Sequence, residues 1–380
     1  MGKSKQLLLV LCMCLATVTM AQLSTPPGGG NQKSVTKQYI GKLASVEIVY
    51  NSPDVTGANG QSRKGQIWGQ LVANGFNAQG FGLGNPAPWR AGANENTTIE
   101  FSHDVLVEGK EVKAGKYGFF VAPAESGPWT IVLSTDNNHW GSFFYKEEND
   151  VLRAEVEAKD VEFREWLTYE FTDRQATSTT AALVWENKMV PFKIELKDAD
   201  KVTLAAITAE LNNSAGFTGT NYQAAANYAS GVGAHEQALQ WADAAIAGNF
   251  FSQKTFATMQ TKAGVLRNAG KQDEAIAVMD EAIKLPGANA GAIHGYGRQL
   301  IAADQKDKAL EVFQYNAKTY KGQWPTNYGL ARGYSAVGNY KQALKYLQLA
   351  KANMPANQAA QNGPFIEQNI EKLKKGEDIN

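Results

Sequence analysis

The chain has 380 residues, with 37 Lys+Arg against 37 Asp+Glu, 43% hydrophobic residues and 19% charged. These values fit a folded protein of two or three domains and exclude a disordered, collagen-like or multi-span membrane chain. The balanced charge also argues against nucleic acid as a partner, because a phosphate binder needs a basic face to release counterions.

Lys3 and Lys5 precede an apolar run from Leu7 to Ala16, and Thr19-Met20-Ala21 then places small residues where a signal peptidase cuts. Residues 1–21 therefore read as a secretory signal, with an apolar core too short for a membrane anchor. A lipoprotein signal would need a small residue before the cysteine, but Leu11 precedes Cys12 and Met13 precedes Cys14. Both cysteines fall within the signal. The chain beyond Ala21 thus has no thiol for a disulfide, a thiolate metal site or a nucleophile. No later run approaches the length of a membrane helix, so the expectation is an exported protein, periplasmic or secreted, that does not span the membrane.

Residues 22–37, with Pro26-Pro27 and Gly28-Gly29-Gly30, read as a flexible leader. From 38 to 197 the apolar residues recur with period two. Val46, Ile48 and Tyr50 alternate with polar neighbours, as do Trp129, Ile131 and Leu133. Leu152, Ala154, Val156 and Ala158 oppose Arg153, Glu155 and Glu157; then come Leu167-Tyr169-Phe171, Leu183-Trp185 and Val190-Phe192-Ile194-Leu196. Each strand buries one face and wets the other, as in an antiparallel sheet. Turn signals at Glu108-Gly109, Ala114-Gly115, Ser126-Gly127-Pro128 and Asp136-Asn137-Asn138 separate about eight short strands, which predicts a sandwich or jelly-roll-like barrel.

Residues 198–219 read as a linker with a short helix over Thr203 to Asn212. Over 220–356 four segments each carry a helix, a small turn and an alanine near the start of a second helix. The alanines are Ala238, Ala275, Ala309 and Ala343, at successive spacings of 37, 34 and 34 residues. This helix–turn–helix period resembles tetratricopeptide repeats. The fourth copy carries the pattern most fully, with Ala331, Tyr334, Gly338, Ala343, Leu347, Ala350 and Pro355. Small residues recur where two helix backbones meet, since Cβ bulk would hold them apart. Asn316 stands in the third copy where a small residue is usual. Residues 357–376, with Phe365, Ile366, Ile370 and Leu373 on one face, predict a capping helix. The predicted fold class is α+β multidomain: an antiparallel β-sandwich followed by an all-α tetratricopeptide-like solenoid.

The β half carries, in order, WRAGANENTTIEF (from Trp89), HWGSFFY (from His139), DVLRAEVE (from Asp150), EWLTYEF (from Glu165) and VPFKIEL (from Val190). Over roughly residues 33 to 197 this resembles a family of exported bacterial domains known only as a domain of unknown function, sometimes followed by tetratricopeptide repeats. The resemblance implies a β-rich domain exported by a Gram-negative bacterium and gives no activity. A Gly/Asn-rich stretch from Asn74 to Pro88 departs from the family pattern ahead of Trp89.

No catalytic set emerges. There is no GxSxG elbow, and the SxxK spacing at Ser34 lies in the leader. Gly80-Phe-Gly-Leu-Gly84 precedes Asn-Pro-Ala-Pro rather than a helix, so it reads as a surface loop. His103 and His139 lack metal-ligand spacing, so no metal and no cofactor are expected. The candidate ligand site is Trp89, Arg90, Asn94 and Glu95, an aromatic, a guanidinium, an amide and a carboxylate beside a glycine loop. The plainer alternative pairs Arg90 with Glu95 and packs Trp89 into the core. In the array, Asn227, Arg267, Arg298, Asn327 and Arg332 on the first helices are the candidates to line a partner-binding groove. The reading that follows is a non-catalytic envelope protein that binds a protein or peptide through its repeats. The rival is a glycan- or small-ligand-binding, even hydrolytic, β domain with the repeats as accessory.

Overall fold

The computed structural model describes residues 30–57 and 59–380; the signal segment and the first half of the leader, residues 22–29, lie outside the described residues. The chain divides into two compact units at Ala199/Asp200. Among the described residues, no helix is long and apolar enough to cross a membrane.

The first unit is a two-sheet antiparallel sandwich. One sheet has the order β1-β2-β5-β8-β9-β10, formed by β1 (Gln32–Ile40), β2 (Ala44–Ser52), β5 (Thr98–Phe101), β8 (Gly115–Ala122), β9 (Trp129–Ser134) and β10 (Asp150–Val156). The other has the order β11-β12-β6-β7, from β11 (Lys159–Thr172), β12 (Ser178–Leu196), β6 (Val105–Val107) and β7 (Lys110–Val112). Two-residue strands β3 (Asn77–Ala78) and β4 (Pro86–Ala87) pair in the intervening loop. The period-two residues meet between the sheets: Val46, Ile48, Phe119, Ile131 and Leu133 pack against Leu167, Tyr169, Leu183, Phe192 and Ile194 in one buried core. Phe119 stacks on Phe192 with ring centroids 5.0 Å apart.

Three expectations need correction. The leader is too long, because β1 begins at Gln32 and pairs with β2 along its whole length, Gln32 opposite Ser52. As an edge strand it stays mostly wet, with Val35 and Tyr39 exposed, so its sequence lacks a clean apolar face. Leu183-Trp185 and Val190–Leu196 are not two strands but one 19-residue strand, β12. Within it Glu186, paired with Arg164 of β11, adopts φ 52° while its buried carboxylate accepts the Gly65 backbone N–H. The register shifts on both sides of this pair, and the extra residues lie in β11, as in a bulge. The linker helix starts earlier than expected, at Ala199.

The second unit contains ten helices. After α1 (Ala199–Leu211) come the pairs α2 (Gly219–Gly231) with α3 (His235–Ile246), α4 (Phe256–Asn268) with α5 (Gln272–Ala282), α6 (Ala290–Ala302) with α7 (Lys306–Thr319), and α8 (Trp324–Ala336) with α9 (Tyr340–Ala352). The capping helix α10 (Ala356–Lys374) follows. The four repeat alanines are buried. Five residues before each, the turn needs a left-handed residue: Gly233, Gly270, Asp304 and Gly338 have φ of 82°, 77°, 57° and 76°. Three are glycine, which reaches this region without Cβ strain; the third copy uses aspartate, one of the few residues that tolerate it. Phe313 is fully buried, and a Cβ added at Gly297 or Gly329 would lie 2.6 or 2.7 Å from its ring. Buried Asn316 donates to the Ala290 carbonyl at 2.9 Å, which ties α7 to the start of α6.

Candidate functional site

In the β domain, Trp89 docks the loop that follows it by an antiparallel bridge to Val121, with both backbone bonds 2.9 Å. Ala91 and Asn94 then adopt φ of 53° and 58°, unusual for residues with a Cβ. The surroundings fix this conformation. The Ala91 carbonyl accepts from the Tyr169 hydroxyl at 2.7 Å and from Thr97 Oγ1 at 3.0 Å, and the Gly92 carbonyl accepts from the Trp89 indole at 3.1 Å. Local strain held this firmly by its neighbours is a recurrent property of binding loops.

The expected Arg90–Glu95 pair does not form. Glu95 accepts from Asn51 Nδ2 at 2.8 Å, whereas Arg90 Nη1 donates to the Asn94 carbonyl at 2.7 Å and the guanidinium lies 5.9 Å from the Phe143 ring. Arg90 has no ion pair among the described residues, and burial pushes its pKa below the ordinary value. Trp89, Arg90 and Asn94 line one pocket of about 310 Å³, together with Asn31, Arg63 and Trp185; Glu95 is not part of its wall. Trp89 is also half in the core, stacked on Trp185 with centroids 5.9 Å apart.

In the array, Asn227, Arg298 and Arg332 occupy one repeat position, with Gly264 between them, at steps of 37, 34 and 34 residues. One turn further along come Ser230, Arg267, Ile301 and Ser335. Residues three and four apart lie on one helix face, so Asn227, Arg267, Arg298 and Arg332 fall along one stripe of the first helices. Asn327 does not. It lies five residues before Arg332, about 140° around α8 at 3.6 residues per turn, and leaves the groove set.

One turn earlier in this stripe, His294 stacks on Tyr328, which meets Phe365 edge-on; both centroid distances are 5.9 Å. Burial, helped by Arg332 and Arg298, pushes the His294 pKa down to about 4. Arg267 donates to Gln299 at 2.9 Å beside a crevice of about 340 Å³ lined by Met279, Tyr296 and Leu300. Met279 stands one repeat before Phe313, whose larger ring packs the next interface against Gly297.

No pattern in the sequence signals what sits on α8. Residues 377–380 run back from the turn after α10 onto this stripe. The Ser335 hydroxyl donates to Asp378 Oδ1 at 2.5 Å and accepts the Ile379 amide at 3.1 Å. Arg332 Nε donates to Asn380 Oδ1 and the Asn380 amide donates to the Arg332 carbonyl, both at 3.1 Å. Ile379 is 6% exposed and joins the core of the last repeat. Burial works against ionisation of Asp378, but the bonds from Ser335 and Asn380 outweigh it and hold the carboxyl below its ordinary pKa.

A second polar cluster also escaped sequence reasoning. Tyr145 donates to Asp150 at 2.6 Å, and Arg153 reaches Asp150, Tyr145 and Glu147 at 2.7, 2.9 and 3.0 Å. This network stitches β10 to the preceding loop. His103 bonds Ser102 at 2.9 Å and His139 packs on Phe144. Among the described residues, no group of three His, Cys, Asp or Glu could hold a metal ion.

No curated protein matches the chain. Among solved structures, the crystal structure of MamA is 15% identical, covering 41% of this chain and 90% of that one, with a TM-score of 0.31. MamA 41-end from Desulfovibrio magneticus RS-1 is 17% identical, covering 42% and 90%, with a TM-score of 0.29. YrrB, titled a TPR protein with an unusual peptide-binding site, is 19% identical, covering 44% and 84%, with a TM-score of 0.30. Residues 31–194, the β-sandwich, match the family model described as protein of unknown function (DUF2911).

Proposed function

We propose that this chain is an exported, non-catalytic interaction protein of the cell envelope, whose helical array binds an extended acidic and apolar segment of a protein partner. The signal pattern of residues 1–21 supports export, to the periplasm or the medium. One observation carries the binding reading: α8 already holds a peptide segment, residues 377–380, through backbone and side-chain bonds from Arg332 and Ser335 and a seat for Ile379. These are the elements of peptide recognition in a groove, with polar bonds to fix register and an apolar anchor. Arg298 and Arg267 continue the stripe with the charge an acidic segment needs.

The test is an NMR titration of the Ile379→Ala chain, in which the seat is vacated, with a synthetic peptide of residues 375–380. Saturable shifts of the Tyr328, Arg332 and Ser335 amides are expected, and Arg332→Ala should remove them. No shift with about 5 mM peptide, several times a Kd of about 1 mM, would refute the reading.

A further inference from the structure

The β domain contains a cation, Arg90, that has no ion-pair partner among the described residues. Arg90 is half-buried, yet Glu95 in the same loop bonds Asn51 at 2.8 Å instead of pairing with it. Taking a charge out of water without a counter-charge is costly, and structural arginines avoid it by pairing. A guanidinium has five N–H donors. Arg90 spends one on the Asn94 carbonyl, and its side chain forms part of the pocket wall.

The rest of that wall suits an anion. Asn31 and Asn94 both line it, and among the described residues their side-chain amides make one bond, to each other, at a long 3.5 Å. Arg63 also lines the pocket, but its guanidinium is bonded to Asp54 and to the Asp54 and Val55 carbonyls, so Arg90 remains the cation to be balanced. Trp185 closes the pocket, and its buried indole N–H has no acceptor among the described residues. The loop is held in shape by the two bonds to the Ala91 carbonyl, so little ordering remains to be done on binding. The volume of about 310 Å³ falls at the small end of ligand clefts.

We propose that this pocket binds a small molecule bearing an oxyanion, carboxylate or phosphate, with Arg90 as its counter-charge and Asn31 and Asn94 as orienting amides. The planar guanidinium matches either group in a forked, two-bond geometry that a lysine would not supply. The site is separate from the array stripe and does not depend on the peptide reading.

The test uses the full chain and its tryptophan fluorescence, at fixed ionic strength, with D-glucuronate as the carboxylate probe, glucose 6-phosphate as the phosphate probe and glucose as the neutral control. One or both anions should saturate the signal with a Kd below about 5 mM while glucose does not, and whichever binds tighter names the group. Arg90→Gln should weaken binding about tenfold or more, as expected for a charge-assisted fork. Because Arg90 also holds the Asn94 carbonyl, Asn31→Ala serves as a second variant, expected to weaken binding about threefold through one lost hydrogen bond. The proposal is overturned if neither anion saturates by about 20 mM, if glucose binds as well as the anions, or if folded Arg90→Gln binds as tightly as the parent chain.

Discussion

Replacing Ile379 by alanine should release residues 377–380 from α8 while leaving the array folded. The magnitude follows from the contacts. Burying an isoleucine contributes about 1.5–3 kcal/mol. The Ser335–Asp378 bond, with a charged acceptor, adds about 1.5–3 kcal/mol, and the other two or three bonds roughly 1 kcal/mol each. Ordering four backbone residues costs about 4–8 kcal/mol at 1–2 kcal/mol per residue. The docked and released states therefore differ by only a few kcal/mol. Trimming the isoleucine removes about 2 kcal/mol of this, a shift of some thirtyfold toward release, since 1.4 kcal/mol is tenfold. The assay is backbone ¹⁵N relaxation. In the parent chain residues 378–380 should have order parameters near those of a rigid backbone, about 0.85, and in Ile379→Ala they should fall below about 0.6. The thermal midpoint should hardly move, because the net docking energy is small. Persistent rigidity of residues 378–380 in the variant would refute the reasoning, as would a collapse of the whole array.

Phe313→Ala should cost about 3–5 kcal/mol, toward the upper end, because Gly297, Gly329 and Gly333 face the ring and have no side chains to move into the space. Urea unfolding of the parent and variant chains measures it, and a loss under about 1 kcal/mol would contradict the packing described. His294 should make the array acid-sensitive. Its folded pKa is near 4 and its unfolded pKa near 6.5, so between these values the unfolded chain holds more protons; the contribution is complete above about pH 6.5 and is lost as pH falls toward 4. The amount is about 3 kcal/mol, from about 2.5 pKa units at about 1.36 kcal/mol each. His294→Phe, which keeps a ring against Tyr328 and Phe313, should flatten the stability profile over that window, and parallel profiles would rule the mechanism out.

What was legible in the sequence was whatever a period reports. Alternation in β2, β9 and β10 placed one face of each strand in the core, and the repeat alanines marked close helix approaches. What was not legible depends on contacts between residues distant in sequence. Glu186 has a left-handed backbone, and its carboxylate holds the Gly65 amide from 121 positions away. Arg90 and Glu95 are close enough in sequence to pair, but Asn51 from β2 claims the carboxylate. Asp304 does a glycine's work in the third turn, and only its dihedral angle reveals that. The seat of Ile379 could not be read at all, since residues 377–380 carry no pattern of their own and Ser335 is one serine among many.

The pairing of β12 has a consequence for the order of folding. Leu196, at the end of the strand, pairs with Val105, and Ile194 with Val107. The second sheet of the sandwich therefore cannot close until nearly the whole domain is present, whereas each helix pair of the array needs only its neighbours. Non-local pairing slows folding by orders of magnitude relative to local contacts. If the chain is exported as proposed, such a delay would keep its β half threadable during passage, while its helical half would close soon after arrival.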